Sequence, residues 1–248
     1  MKLKKVKPKY ISKANPRIGL ITLGSDFRIE KDFNNVIYGN DIDLYVNRIH
    51  CYNPLTNEML AKMADDITNV TKDILPDQKI DCVAYGCTSG TIAAGYEVIE
   101  KNVKLAKPEA KVTTPITSAI MALKAFNINK ISVFTPYTKS INDSIINYFD
   151  KENITVKGLT YFDIESDLDI GKVDDEYLFD VLSQIDLSDS DALFVSCTAL
   201  PVLSIIDKLE KKLNKIVLSS NQTLIWDALN LIGNKNKIKG YGKIFEIN

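Results

Sequence analysis

The sequence predicts an α/β protein of two similar lobes, each a parallel sheet flanked by helices, related by a pseudo-twofold axis. Two observations predict this fold. Short apolar runs alternate with amphipathic segments along the chain, an order typical of parallel sheets that are covered on both faces. In addition, three short segments recur in the same order about 110 residues later, which indicates an internal duplication.

The apolar runs predict the strands. They are Ile18–Leu23, Ile80–Tyr85, Lys111–Thr113, Ile131–Phe134, Thr155–Phe162, Ala192–Ser196 and Ile216–Ser219. The amphipathic segments predict the helices, which are Thr56–Leu75, Thr91–Leu105, Ile116–Phe126, Lys139–Asp150, Asp174–Ile185, Leu200–Leu213 and Gln222–Ile232. In the segment after residue 200, Ile205, Leu209 and Leu213 recur at every fourth position, and Pro201 suits the first turn of a helix.

The repeat divides the chain. Its matched segments are Ile18–Thr22 with Ile131–Thr135, Asp81–Thr88 with Asp191–Thr198, and Thr113–Thr117 with Ser219–Thr223. No long linker rich in glycine, serine or proline separates the two copies. We therefore predict a first lobe of residues 17–115 plus 220–248, a second lobe of residues 116–219, and a basic N-terminal tail of residues 1–16.

Composition excludes several classes of protein. Of the 248 residues, 45% are hydrophobic and 25% are charged, and the formal net charge is -1. This balance favours neither a nucleic acid nor a membrane as partner. The sequence contains no run of about 18 apolar residues, so no transmembrane helix is predicted. The lysine-rich start is followed by no apolar stretch of the kind that a signal peptide needs, so we expect a cytoplasmic protein.

The cysteine and glycine patterns predict neither a metal site nor a cofactor site. The four cysteines and the single histidine lack the spacing of zinc ligands, and four cysteines in a cytoplasmic chain of this size do not predict a disulfide framework. A G-x-G-x-x-G motif is absent, which argues against a nicotinamide or flavin cofactor. Cys82 lies inside a strand and matches Ala192 in the repeat, so we assign it to packing. Cys51 has no match in the repeat and stays unassigned.

The first motif that can carry chemistry is Tyr85–Thr91, where a strand ends in a turn that opens a helix. Ligands of open α/β sheets bind at this end of the strands. Cys87 would lie near a helix N-terminus, where the dipole favours a thiolate. Thr88 and Ser89 add hydroxyl groups. The alternative is a buried structural cysteine beside a helix cap.

The repeat places a second thiol, Cys197, at the equivalent strand end of the second lobe. If the lobes face each other, both thiols point into one cleft from opposite sides. One thiolate can then remove a proton from one face of a carbon while the other thiol protonates the opposite face. The pair therefore predicts stereochemical inversion at carbon. Tyr137 follows another strand and offers a hydroxyl that can bind a carboxylate.

Together, the motifs Tyr85–Thr91, Thr135–Tyr137 and Ser196–Leu200 resemble those of the arylmalonate decarboxylase and maleate isomerase branch of the aspartate/glutamate racemase superfamily. Within this branch the chain is most similar to the ectoine-utilisation proteins. The resemblance covers residues 17–245. It implies a racemase-like fold of two lobes, with the active site between them and no cofactor.

The resemblance also implies roles for single residues. Decarboxylases of this branch keep only the cysteine that matches Cys197, whereas racemases and maleate isomerases use both. A substrate carboxylate would be bound by Thr88, Ser89 and Tyr137, with backbone amides around Cys197 and Thr198. One departure is Pro201, which stands where arginine often follows the second motif.

A second departure concerns charge. Maleate isomerases have asparagines that contact the substrate carboxylates at the positions aligned with Asp26 and Asp167. Ionised aspartate cannot donate a hydrogen bond to a carboxylate, and two added charges repel a dianion. We therefore expect a substrate with one carboxylate and at least one nitrogen donor. The alternative is that either aspartate caps a helix or a turn.

These observations favour a cofactor-independent racemase or epimerase, which acts at the Cα of an amino acid or an N-acetylated diamino acid such as one from ectoine degradation. The alternatives are a maleate-type cis–trans isomerase, an arylmalonate-type decarboxylase and, among non-enzymes, a binding protein for small carboxylates. In each case the expected partner is a small carboxylate-bearing molecule. Whether the chain forms a homo-oligomer stays open.

Overall fold

The computed structural model describes residues 1, 3–11 and 13–247, so Lys2, Ser12 and Asn248 lie outside the described residues. The strands are β1 (Arg17–Leu23), β2 (Asp43–Ile49), β3 (Cys82–Gly86), β4 (Lys111–Thr113), β5 (Lys130–Thr135), β6 (Thr155–Tyr161), β7 (Ala192–Val195) and β8 (Ile216–Ser219). The α-helices are α1 (Ile29–Ile37), α2 (Asn57–Lys62), α3 (Ile67–Lys72), α4 (Thr88–Ala94), α5 (Tyr96–Ala106), α6 (Pro115–Ala125), α7 (Lys139–Lys151), α8 (Asp167–Gly171), α9 (Asp175–Ser183), α10 (Ile206–Leu213) and α11 (Ser220–Leu231).

Within the described residues the strands form two parallel four-stranded sheets, with the orders β2-β1-β3-β4 and β6-β5-β7-β8. The two sheets have the same strand order, because β5, β6, β7 and β8 take the places of β1, β2, β3 and β4. The predicted α/β fold of two similar lobes is therefore confirmed. The inner strands β3 and β7 are completely buried, as expected for parallel strands that are covered by helices on both faces.

The last helix connects the two halves of the chain. Helix α11 follows β8 of the second sheet, but it packs against α6 and against β3 and β4 of the first sheet. Its first ten residues are buried. These contacts agree with the prediction that the C-terminal segment returns to the first lobe. The boundaries at residues 115/116 and 219/220 stay a prediction.

Several elements differ from the sequence-based expectation. The sequence pattern does not predict β2 or α1. Strand β2 lies at the edge of its sheet and is mostly half-buried, so it lacks a continuous apolar run. The predicted helix over Thr91–Leu105 is divided by Gly95, whose φ of 88° breaks the helical conformation. The helix predicted from Leu200 begins only at Ile206, after a short 3₁₀ turn.

The described part of the tail, residues 1, 3–11 and 13–16, forms no helix or strand. Among the described residues, every helix is too short or too polar to cross a lipid bilayer.

Candidate active site

The two predicted thiols occupy equivalent places. Cys87 follows β3 and Cys197 follows β7, each at the carboxyl end of an inner strand. Both side chains are buried, with 3% and 4% of their surface exposed. Because the carboxyl ends of parallel strands meet at one edge of a sheet, each half of the molecule presents the thiol of its inner strand at this edge.

Direct hydrogen bonds join the two cysteine motifs. The Thr198 hydroxyl donates to the carbonyl oxygen of Gly86 at 3.3 Å. The Thr88 hydroxyl donates to Ser220 Oγ at 2.8 Å, and the backbone N–H of Cys197 donates to the same oxygen at 3.0 Å. Ser220 is the first residue of α11 and is fully buried. The fold therefore brings both motifs to one site.

The Cys87 side chain caps helix α4. Its Sγ accepts a hydrogen bond from Gly90 N at 3.2 Å and lies 3.9 Å from Ser89 Oγ. Burial raises the pKa of the Cys87 thiol to about 12, the Gly90 N–H lowers it, and the negative charge of Asp167 raises it further. The helix N-terminus lowers the pKa of Cys87 as expected, but burial raises this pKa by more. In this closed structure Cys87 is therefore a neutral thiol.

The Cys197 backbone is strained. Its φ is 102°, in a region that L-residues with a side chain rarely adopt. Such residues persist only where the surrounding structure holds them, and they are concentrated at functional sites. Burial raises the pKa of the Cys197 thiol well above its ordinary value, and the charge of Asp167 adds to the rise. The neighbouring Tyr137 hydroxyl and Ala199 N–H lower this pKa.

Tyr137 lies near both thiols. It follows β5, is 2% exposed, and its hydroxyl lies beside the Cys197 thiol and the Ser196 hydroxyl. Burial raises the pKa of the Tyr137 phenol well above its ordinary value, and the Cys197 and Cys87 thiols raise it further. The phenol therefore keeps its proton and acts as a donor. The predicted contact between Tyr137 and a substrate carboxylate stays a prediction.

The two predicted aspartates are also at the site. Asp167 is the first residue of α8, is 3% exposed and accepts a hydrogen bond from Ser25 Oγ at 2.6 Å. Burial raises the pKa of Asp167 to about 6, Ser25 lowers it, and the charge of Asp26 raises it. The Asp167 charge in turn raises the pKa of both thiols, so the carboxylate lies near each of them.

Asp26 has a structural role in addition to its place at the site. Its Oδ1 accepts backbone hydrogen bonds from Arg28 N at 2.7 Å and Ile29 N at 3.1 Å. It therefore stabilises the turn before α1, which is the alternative that the sequence left open. Its Oδ2 is buried and has no hydrogen-bond partner among the described residues. Burial raises the pKa of this carboxyl group.

The predicted hydroxyl groups differ in whether they already donate hydrogen bonds to protein atoms. Thr88 and Thr198 already donate to protein atoms, to Ser220 and Gly86 respectively. Ser89 is 5% exposed and makes only the long contact with Cys87. Ser89 and Tyr137 are therefore better suited than the two threonines to hold a ligand carboxylate. Substrate binding by these residues stays a prediction.

Sequence reasoning missed several residues of the site. Cys51 follows β2, which was not predicted, and its thiol lies near Ser25. Burial raises the pKa of Cys51 to about 11. Asn221 donates from Nδ2 to the Thr198 carbonyl oxygen at 2.8 Å and to Asp32 Oδ2 at 2.7 Å. Within the described part of the chain, no group of three or more His, Cys, Asp or Glu residues is arranged to hold a metal ion.

A buried thiol at the end of an inner strand in each of two matching parallel sheets defines a two-lobed α/β protein with a paired-cysteine site. The sequence profile of the arylmalonate decarboxylase family matches residues 37–245. The chain belongs to this family, which confirms the branch that the motifs predicted.

Characterised relatives carry two different activities. A maleate isomerase of Geobacillus stearothermophilus is 26% identical over 77% of this chain and 78% of its own length. The arylmalonate decarboxylase of Bordetella bronchiseptica is 28% identical over 54% of this chain and 57% of its own length. A Nocardia farcinica maleate cis–trans isomerase variant, solved with a covalently bound succinylcysteine intermediate, is 19% identical and superposes with a TM-score of 0.86 over 93% of this chain and 98% of its own.

Proposed function

We propose that this protein is a cofactor-independent isomerase of a small carboxylate, with Cys87 and Cys197 as its paired acid and base. The observation that carries the proposal is that two buried thiols from matching strands share the same neighbours, Asp167 and Tyr137. A binding protein would not need two thiols placed in this way. Relatives that are named isomerases support the same class of reaction.

The paired thiols suit racemisation or epimerisation at a Cα atom. The thiolate of one cysteine takes the Cα proton, and the electron pair left on carbon delocalises into the adjacent carboxylate or carbonyl. The thiol of the other cysteine donates its proton to the opposite face. The carbon has then inverted, the protonation states of the cysteines are exchanged, and one proton transfer restores them. Hydrogen bonds from Ser89 and Tyr137 would stabilise the negative charge on the substrate oxygens.

The charge of the site favours a substrate that carries a nitrogen donor. Burial and the Asp167 charge both raise the pKa of each thiol, so an additional anion would oppose formation of the thiolate. An ammonium or amide N–H beside Asp167 would offset this negative charge. We therefore favour a substrate with one carboxylate and one or more nitrogen donors, such as an amino acid or an N-acetylated diamino acid.

Cis–trans isomerisation of an alkene dicarboxylate is the second candidate. The characterised relatives favour it, because several are named maleate isomerases and one was solved with a succinylcysteine intermediate. In this reaction a cysteine thiolate adds to one alkene carbon, and the π electron pair moves onto the other carbon and its carboxylate. The former double bond is then single and rotates, and the same electron pair re-forms the double bond as the thiolate leaves. Decarboxylation is favoured less, since the arylmalonate decarboxylase matches a shorter part of the chain.

One preparation of the enzyme can decide between these candidates. The enzyme is incubated in deuterium oxide with a panel of amino acids and N-acetylated diamino acids, and exchange and inversion at Cα are followed by NMR and chiral chromatography. Conversion of maleate to fumarate is measured in parallel. We expect exchange with inversion on at least one nitrogen-bearing substrate. Conversion of maleate without any exchange would favour the second candidate, and tight binding without turnover would favour a binding protein.

Matched variants test the role of the thiols. Serine has nearly the size of cysteine but is a much weaker acid, so Cys87→Ser and Cys197→Ser should each reduce turnover by at least about 100-fold. Cys82→Ser is the control, because Cys82 is a fully buried residue of β3. If one of the two site variants kept most of its activity, the reaction would use a single base.

A further inference from the structure

Tyr85 has a buried hydroxyl group that the proposed reaction does not yet use. It lies in β3, two residues before Cys87, and its side chain is completely inaccessible to solvent. The hydroxyl oxygen has no hydrogen-bond partner among the described residues. An unpartnered buried hydroxyl destabilises a protein, whereas phenylalanine would fill the same space without this cost. The hydroxyl therefore calls for a role other than packing.

The Tyr85 hydroxyl and the Cys87 sulfur lie on the same side of Gly90, without a hydrogen bond between them. Both groups lie against Gly90, on the first turn of α4: a Cβ atom at Gly90 would be 2.8 Å from Cys87 Sγ and 3.0 Å from the Tyr85 hydroxyl. The Met63 methyl group, 3.0 Å from the same point, closes this space with an apolar surface. Glycine at position 90 leaves room for the thiol and the phenol to lie beside each other.

Cys87 has few other donors. The contacts of its Sγ are the Gly90 N–H at 3.2 Å and the Ser89 hydroxyl at 3.9 Å, which is long for a hydrogen bond. On the other side of the site, Cys197 is next to the Tyr137 hydroxyl. If Tyr85 serves Cys87, each thiol has one tyrosine hydroxyl from its own half of the chain. Burial raises the pKa of the Tyr85 phenol well above its ordinary value, so this group keeps its proton and can donate it in a hydrogen bond.

We propose that Tyr85 is a positioning residue whose hydroxyl donates a hydrogen bond to the Cys87 sulfur when that sulfur becomes a thiolate. The inference rests on the proposed role of Cys87 as acid and base. While Cys87 is a neutral thiol, the Tyr85 hydroxyl makes no hydrogen bond to it, and a thiol is a weak acceptor. Once the sulfur is charged, a small movement of the two neighbouring side chains forms a charge-assisted hydrogen bond in a site of low dielectric, where it is strong.

The test measures the reactivity of Cys87 directly, without a substrate. The rate of alkylation by iodoacetamide is followed at each cysteine by peptide mass spectrometry between pH 6 and pH 10, in the wild type and in Tyr85→Phe. The titratable groups around Cys87 are Asp167, Cys51, Tyr85 and Tyr137. Only Tyr85 changes in the variant. Loss of the donor should raise the pKa of Cys87 and slow its alkylation at neutral pH by about tenfold.

Two controls separate this role from a structural one. Tyr96→Phe removes a hydroxyl that donates to the Val112 carbonyl oxygen, and it should leave the profile of Cys87 unchanged. Tyr85→Met removes both the ring and the hydroxyl, and it should shift the profile in the same direction as Tyr85→Phe. The alkylation of Cys197 should change less than that of Cys87. The melting temperature of Tyr85→Phe should be equal to or higher than that of the wild type, because an unpartnered hydroxyl is removed.

A change of less than twofold in the alkylation of Cys87, in both Tyr85 variants, would overturn the inference. The failure of this inference and the failure of the proposed function can be distinguished. If no substrate is turned over while the profile of Cys87 shifts, the isomerase proposal is wrong and the hydrogen bond is real. If both cysteines are needed for turnover while the profile does not shift, Tyr85 has only a packing role.

Discussion

At the scale of single residues, the two thiols are chemically similar but conformationally different. Cys87 has an extended backbone, with a φ of -143°, and Cys197 has a φ of 102°. Glycine adopts positive φ without steric cost, whereas residues with a Cβ atom do not. The strained backbone of Cys197 places its N–H on Ser220 and its thiol beside Tyr137.

This difference predicts opposite orders of stability at the two positions. Cys197→Gly should be more stable than Cys197→Ala by about 1 kcal/mol, because glycine relieves the strain of the positive φ. Cys87→Gly should be less stable than Cys87→Ala by about 0.5–1 kcal/mol, because glycine gains only flexibility in the unfolded chain. Urea denaturation of the four variants measures both differences. The same order at both positions would contradict the strain at Cys197.

The raised pKa of Asp167 predicts a dependence of stability on pH. Burial raises this pKa from 3.8 to about 6 in the folded protein. The folded state therefore binds the proton more tightly than the unfolded state, and the stability that this proton contributes is lost as the pH rises through about 6. Asp167→Asn should consequently gain stability relative to the wild type between about pH 4 and pH 7, by about 3 kcal/mol.

Asp169→Asn is the matched control for this prediction. Asp169 lies on the same helix, is exposed, and forms an ion pair with Lys172 at 2.7 Å. Denaturation curves at several pH values should show the gain only for Asp167→Asn. The same variant should increase the alkylation of both thiols at neutral pH, because it removes a negative charge that raises their pKa. A stability difference that does not depend on pH would show that Asp167 is neutral throughout.

At the scale of secondary structure, the elements that hold the site were largely predictable. Strands β3 and β7 are fully buried, so their apolar runs stand out in the sequence. The repeat then identified Cys87 and Cys197 as equivalent. Strand β2 and helix α1 were missed because β2 is a half-buried edge strand with polar residues and α1 has only nine residues. Cys51 and Ser25, which flank these elements, therefore stayed outside the predicted site.

Other features of the site depend on contacts between residues that are distant in sequence. Burial and the charge of Asp167 in the second half of the chain raise the pKa of Cys87, and local sequence indicated only the helix N-terminus that lowers it. The bonds from Thr88 and Cys197 to Ser220 likewise form only after α11 packs on the first sheet. Local pattern predicts where a strand ends, but not which side chains meet there.

At the scale of the whole molecule, loops of the two halves contact each other next to Asp26 and Asp167. The Arg28 guanidinium donates two hydrogen bonds to the Gly171 carbonyl oxygen, at 3.0 and 2.8 Å. The Phe27 ring packs directly on Gly171. The backbone N–H of Leu55 donates to the Glu165 carbonyl oxygen at 3.2 Å. We call the contact between Arg28 and Gly171 the interlobe latch.

The interlobe latch predicts how access to the thiols is controlled. Arg28→Ala should increase the alkylation of Cys87 and Cys197 together, because it removes hydrogen bonds that hold the closed form. Arg48→Ala is the control, since among the described residues the Arg48 guanidinium donates to Leu23, Asp26 and Glu30, which all lie in the first half of the chain. Equal effects of the two variants would mean that access does not depend on the latch.

The burial of both sulfurs has a consequence for selectivity. Every molecule that reaches them must first wait for the closed form to open, and the free energy of opening is the same whichever molecule arrives. If one protein molecule in a hundred is open, the apparent affinity for each substrate is weaker by about 100-fold than the affinity of the open form. A substitution that only shifts this equilibrium should change the apparent affinities of all substrates by one common factor. Their order of preference would then be decided entirely inside the closed site.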